Sequence, residues 1–286
     1  MAKRDLKSIV EGIVDLPTLP QVVTILLDVI DDPDSSVQDV HRIMGRDPSL
    51  TTRVLKLVNS AFYALPNRIS SITQAIVILG FNTVKSLAVS ASVLDLFSPR
   101  NEDFSYEEFW AHNVGCAAVA NALARRYGKA DPDTAFVLGL THDIGKLILD
   151  QYAAEELKSI LAIAREQAIA FEDAEKELLA TSAAEVGYWL AKKWKFPDDL
   201  SDAIRYQHRI AEAPNETVRN LVAICLLSVY VCRVKEYGHA GSYGKPMLPI
   251  EPWRMLGMSL DDLPPFMKTV DDELERATEF LTLLRA

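Results

Sequence analysis

The chain has 286 residues, of which 49% are hydrophobic and 24% charged, with a net charge of −10. That suffices for one large core or two closely packed halves, and it is ordinary for a globular protein. The charge is about −1 over residues 1–102 and −9 over the rest, so the surface repels nucleic-acid phosphates and anionic membranes as broad partners, and an anionic small ligand needs a local basic pocket.

The opening MAKRDLKSIV is basic, but Asp5 and Glu11 interrupt it and no long apolar run follows, so it does not read as a signal peptide. Beyond it the pattern is helical nearly throughout, with Gly and Pro at segment boundaries. LPTLPQVVTILLDVIDD carries apolar residues at helical spacing, with Thr18 and Gln21 spaced as a capping box; Ser35 and Gln38 repeat that spacing. Asp47 and Pro48 read as an N-cap and first helical residue. Ser71 and Gln74 open another helix, and Gly80 stops it. NTVKSLAVSASVLDLF completes a group of short helices before Pro99. The polar stretch SPRNEDFS, 98–105, reads as the linker between an N-terminal part, 1–102, and a second helical part, 103–236.

In the second part, Ser105 and Glu108 start the long helix YEEFWAHNVGCAAVANALARRYG, and DPDTAFVLGLTHDIGKLIL follows as the next helix. Two more helical segments lead to Ser182 and Glu185, spaced to cap AAEVGYWLAKKWK, and Pro197 begins another helix. ETVRNLVAICLLSVYVCRV is apolar enough to be central. Its uninterrupted apolar run, LVAICLLSVYVC, is too short to span a bilayer. A Gly/Pro-rich loop and a last helix, DDELERATEFLTLLRA, make up a C-terminal extension, 237–286. The expectation is an all-α, cytoplasmic protein. Cys116, Cys225 and Cys232 all lie in apolar helical patterns and read as buried free thiols. Trp110, Trp189 and Trp194 read as core. Trp253 fits either a docking element or an irregular cap.

The chemistry concentrates in LGLTHDIGKLILD. His142 and Asp143 are adjacent, so they diverge by about 100° around a helix. Both reach one metal only near a helix end, and Gly145 reads as that end. His112, on the preceding long helix, faces His142 if the two helices are antiparallel neighbours, and His208 ends a later helix that opens on the same cleft. Neutral imidazoles and a carboxylate so gathered are the donors that hold a divalent ion and polarise a water. An isolated histidine on an apolar face is more often a hydrogen-bonded core residue. Lys146 by itself reads as a solvated cation at a helix C-terminus.

HDIGK after an earlier helical histidine resembles the HD superfamily of metal-dependent phosphohydrolases. LPTLP, RDPSLTTRVLKLVNSAFY, ISSITQAIVILG, FVLGLTHDIGKLIL and AAEVGYWLAKKWKFPDDLSDAIRYQH together resemble the HDOD family, the HD-related output domain of bacterial signalling, over roughly residues 12–235. The resemblance implies an N-terminal bundle packed on an HD-like half. It implies metal ligands at His112, His142, Asp143 and His208, a phosphate-facing Lys146, and partners in two-component or cyclic-dinucleotide signalling. The departures are equally specific. Ala183 stands where relatives place a histidine, Gln207-His208 where they often have two, and the helix that supplies the last aspartate has no carboxylate near Ser228 or Val229. The expectation is therefore a vestigial site and a non-catalytic regulatory module that works by protein contact, with self-association open to it. Two alternatives stand beside this: a phosphodiesterase-like enzyme of atypical ligation, and a sensor that binds a nucleotide or a divalent metal (Fe, Mn, Ni or Zn) in the old cleft.

Overall fold

A computed structural model describes residues 16–30 and 32–285. The opening segment, 1–15, judged above not to be a signal peptide, lies outside them. The fold is all-α, with no strands among the described residues. Five helices form the N-terminal part: α1 (Gln21–Ile30), α2 (Val37–Met44), α3 (Pro48–Val58), α4 (Ile72–Leu79) and α5 (Phe81–Val93). Then come α6 (Tyr106–Tyr127), α7 (Pro132–Thr141), α8 (Ile144–Tyr152), α9 (Ala154–Gln167), α10 (Phe171–Leu178), α11 (Ala183–Lys193), α12 (Asp198–Tyr206) and α13 (Glu216–Val234), and the C-terminal α14 (Ile250–Met255) and α15 (Leu263–Arg285).

Local side chains set many of the helix starts. Asp47 Oδ1 accepts from Leu50 N at 2.9 Å, with Pro48 at the first helical position. Ser71, Ser105 and Ser182 each accept from the backbone N–H three residues on. Two expected starts shift. The box at α2 is Ser36–Asp39, because the Asp39 carboxylate reaches back to Ser36 N at 3.0 Å and a charged acceptor there outcompetes Gln38. α1 starts at Gln21 and not after Thr18, since Leu19 precedes Pro20 and is pushed out of helical φ/ψ.

One continuous apolar core runs through both helical parts, from Leu19 to Leu284. α5 joins them by packing on α7. α15 reaches back across α6 to α3, where Phe280 meets Phe62 and Phe136 at ring-centroid distances of 5.5 and 5.6 Å. The apolar run read as too short to span a bilayer sits inside the 19-residue α13. That helix is long and apolar enough to cross a membrane by length and composition, yet it packs on α6, α7, α12 and α14 as the central helix the sequence led us to expect. Trp110 and Trp194 are buried and Trp189 half-buried, and Asn59 pins the loop after α3 by exchanging hydrogen bonds with Ile69. Trp253 packs inward with Leu256 and Phe266, so it is a cap of the core and not an exposed anchor.

Candidate functional site

α6 and α7 cross closely because Gly139 has no side chain: a Cβ there would lie 2.6 Å from Ala117 Cα. This approach sets His142 opposite His112, with ring centroids 5.8 Å apart. The HD pair does not lie within one helix, as its apolar flanks suggested. The helix ends at Thr141, Asp143 takes φ −100° and ψ 9°, and α8 starts at Ile144. Gly145 is not the stop but part of the first turn of α8. It is there for contact, since a Cβ would lie 1.8 Å from the Ala183 carbonyl oxygen of α11. The break turns both HD side chains into one cleft.

His142 Nδ1 lies 2.8 Å from the Gly139 carbonyl oxygen, which assigns the proton to Nδ1 and leaves Nε2 unprotonated, 3.4 Å from Asp143 Oδ2. Gln207 donates to the His142 carbonyl at 2.6 Å and fixes the corner from α12. His112, His142, Asp143, Lys146 and His208 all line one cavity of about 600 Å³, so the five residues singled out from the sequence converge. His208 sits toward the mouth, 31% exposed, with Nδ1 3.9 Å from Glu172 Oε1. Burial pushes the His112 imidazole down to about 3, and the neighbouring His142 adds to the shift. Burial also lowers His142, although Asp143 opposes it. Both rings are neutral donors at neutral pH.

Lys146 is neither solvated nor at a helix C-terminus. It is buried in the first turn of α8, with Nζ 2.7 Å from Asp143 Oδ2, 2.8 Å from the Ala240 carbonyl and 4.5 Å from the centre of the Phe171 ring. Burial alone would raise the Asp143 carboxyl, but Lys146 first, and then the two histidines once acid protonates them, hold it far below the usual carboxylate range. The HD-type metal arrangement does not fit these residues. Ala183 offers no donor, Ser228 turns its hydroxyl onto the Cys225 carbonyl at 2.8 Å, Val229 lines the cavity with an apolar side chain, and a fixed ammonium already neutralises Asp143.

Several site residues escaped the sequence reading. Cys116 lies one helical turn from His112, its Sγ 3.5 Å from His112 Nε2, and His112, Cys116 and His142 bring ligand atoms within 4.8 Å of one another. The i, i+4 spacing of His112 and Cys116 was the available signal. Cys225 and His239 also line the cavity. The extension closes one side as a strap: His239 N donates to the Glu108 carbonyl at 2.9 Å, and Tyr243 and Gly244 both donate to the Ile169 carbonyl at 3.0 Å. Gly238 makes this possible, at φ 67° and with a Cβ position only 2.1 Å from His112 N.

Behind Ala183, Glu175 is buried and accepts from Ala183 N at 2.8 Å. Burial raises its carboxyl to about 7, with the Ala183 N–H and Lys146 pulling the other way. The native state therefore holds a proton that the unfolded chain releases from 4.5 upward, and stability falls as pH rises from there to about 7, then levels. Glu175→Gln keeps an acceptor for Ala183 N. The expected result in urea melts is loss of that slope and a gain of about 1–3 kcal/mol at pH 8.

The description of the HDOD domain matches residues 16–210. An HDOD domain protein of unknown function from Geobacter sulfurreducens has a similar structure, with TM-score 0.77 and 28% identity, over 98% of this chain and 95% of that one. A Shewanella amazonensis protein named as a candidate phosphohydrolase aligns with TM-score 0.73 and 26% identity, over 98% and 97%. An uncharacterised Treponema pallidum protein is 27% identical over 210 residues; the match takes in 73% of this chain but only 40% of that longer relative. With two thirds of its length matched by the family description and its helices laid out as in the Geobacter protein, the chain belongs to the HDOD family.

Proposed function

We propose that the chain is a non-catalytic module of bacterial, cytoplasmic signal transduction that acts by contact with partner proteins. The observation that carries this is the buried Asp143–Lys146 ion pair. A hydrolytic ion needs the Asp143 carboxylate, and here a protein ammonium is bound to it. Family membership supports the signalling setting. Partners from two-component or cyclic-dinucleotide pathways fit the acidic, helical surface better than nucleic acid or a membrane does. Among the described residues the large exposed apolar side chains fall mainly in two places suited to such contacts: Val77 and Ile78 on α4, and Met247 and Ile250 beside the strap.

The test has two arms. Purified protein with manganese, iron or magnesium is expected to show no turnover of cyclic dinucleotides, nucleotides or generic phosphodiesters. Turnover that vanishes in both His142→Ala and Asp143→Ala would overturn the reading in favour of a phosphodiesterase-like enzyme. Capture from the native cell is expected to retrieve proteins that Val77→Glu/Ile78→Glu or Met247→Glu/Ile250→Glu loses. A strictly monomeric chain that retrieves the same background in every case would remove the support for an adaptor. The cavity would then favour the second reading, a sensor of a nucleotide or a metal, because about 600 Å³ lined by mixed polar and apolar side chains is room enough for a small ligand.

A further inference from the structure

We infer that His112, Cys116 and His142 form a mononuclear site for a thiophilic d10 ion, zinc(II) or copper(I), with the coordination moved off the HD carboxylate onto a thiolate. The inference goes beyond the adaptor reading and stands whether or not the chain acts through partners.

Four observations carry it. The first is spacing. Metal–nitrogen bonds of about 2.0–2.1 Å and a metal–sulfur bond of about 2.3 Å at a tetrahedral angle put the two ligand atoms roughly 3.6 Å apart. His112 Nε2 and Cys116 Sγ are 3.5 Å apart, and the third ligand atom, from His142, lies within 4.8 Å of both. The second is orientation. The Gly139 carbonyl holds His142 Nδ1–H and leaves Nε2 as the unprotonated donor, which is how proteins commonly fix a metal-binding imidazole. The third is an unmet need. His112 is 3% exposed, its Nδ1 has no hydrogen-bond partner, and the polar contact of its Nε2 is a sulfur, a weak one. An ion on Nε2 would replace that weak contact with a strong one, while Nδ1 would keep the ring's proton. The fourth is softness. Asp143, the hard oxygen donor, is engaged by Lys146, so the donors left are two nitrogens and one sulfur, a set that favours zinc or copper(I) over magnesium or manganese.

The place suits an ion. Cys116 is fully buried, while His112 and His142 line the cavity and give the ion a way in and an open fourth position. Cys232 lies beside Cys116. When the ion binds, the Cys116 S–H bond is replaced by a sulfur–metal bond and one proton passes to the buffer.

The experiment uses the full chain, stripped with a chelator. It is titrated separately with zinc(II), and with copper(I) under reductant, each against a competing chelator; cobalt(II) serves as an optical probe. The expected result is one ion per chain in at least one arm, which also tells zinc from copper, and a thiolate-to-cobalt charge-transfer band. Cys116→Ser should lose the band and weaken binding by more than about 100-fold, above the ~10–100-fold that changes to the hydrogen-bond partners of metal ligands commonly cost. Val77→Glu/Ile78→Glu, on the exposed face of α4 outside the cavity, should bind as the parent does. X-ray absorption at the metal edge of the wild type needs no variant and is expected to show one sulfur and two imidazoles. The inference is overturned by no retained ion in either arm, by an ion whose affinity and spectrum ignore Cys116→Ser, or by a coordination sphere without sulfur.

Discussion

Replacing Gly145 by alanine is expected to destabilise the protein by ~3 kcal/mol or more. The new Cβ would sit 1.8 Å from the Ala183 oxygen, 2.7 Å from the Ala183 carbonyl carbon and 2.9 Å from Gly187 N. All three are backbone atoms, so no side chain can swing aside and α8 must separate from α11. Helix propensity acts in the opposite direction, favouring alanine by only about 1 kcal/mol. Steric cost therefore wins. A thermal melt is expected to fall by about 6–12 °C in a chain of this size. A melting temperature equal to or above the parent's would show that the two helices are not pressed together at this point. Because Lys146 and the HD corner sit beside the contact, loss of the Asp143–Lys146 pair should accompany loss of stability.

Asp143→Asn is expected to cost about 3–5 kcal/mol, because it leaves the Lys146 ammonium buried without a counter-charge. Asp143 and Lys146 side chains are each only 7% exposed, so water does little to soften the loss. Asp143→Asn/Lys146→Met removes both charges and should recover most of the deficit, which makes the two single effects strongly non-additive in denaturant melts. The pH dependence follows from the lowered Asp143 carboxyl. Its contribution is complete above the unfolded value of 3.8 and is lost as pH falls below that toward the folded value. Wild type should thus weaken below about pH 4 by a share that the double variant lacks. If Asp143→Asn were neutral and the double variant worse than either single one, the carboxylate would not be serving Lys146.

Which features were legible in the sequence follows from how local their causes are. Asp47, Ser71, Ser105 and Ser182 announce helix starts because each bonds to a backbone N–H three residues away, a relation the sequence displays directly. The convergence of His112, His142, Asp143, Lys146 and His208 was legible through the family resemblance, which carried the helix arrangement with it. The break at His142–Asp143 was hidden because apolar residues continue across it with no proline or glycine at the corner. Gly145 was misread as a stop because its cause is contact with Ala183, 38 positions on. Lys146 was read as solvated because nothing in its neighbourhood reveals that the strap brings the Ala240 carbonyl to it. Cys116 went unnoticed as a donor because small apolar neighbours on α6 made it look like any core thiol, although its spacing from His112 was in plain view.

The most direct measurement is anomalous diffraction at the manganese edge from crystals grown with excess manganese(II), a hard ion that suits an HD hydrolytic site. The expected map has no manganese peak within about 2.0–2.2 Å of an Asp143 oxygen, and Lys146 Nζ still bonded to Asp143 Oδ2. A manganese ion held by His142 and Asp143, with the Lys146 side chain displaced from the carboxylate, would contradict the claim that a protein ammonium has taken the place of the hydrolytic metal.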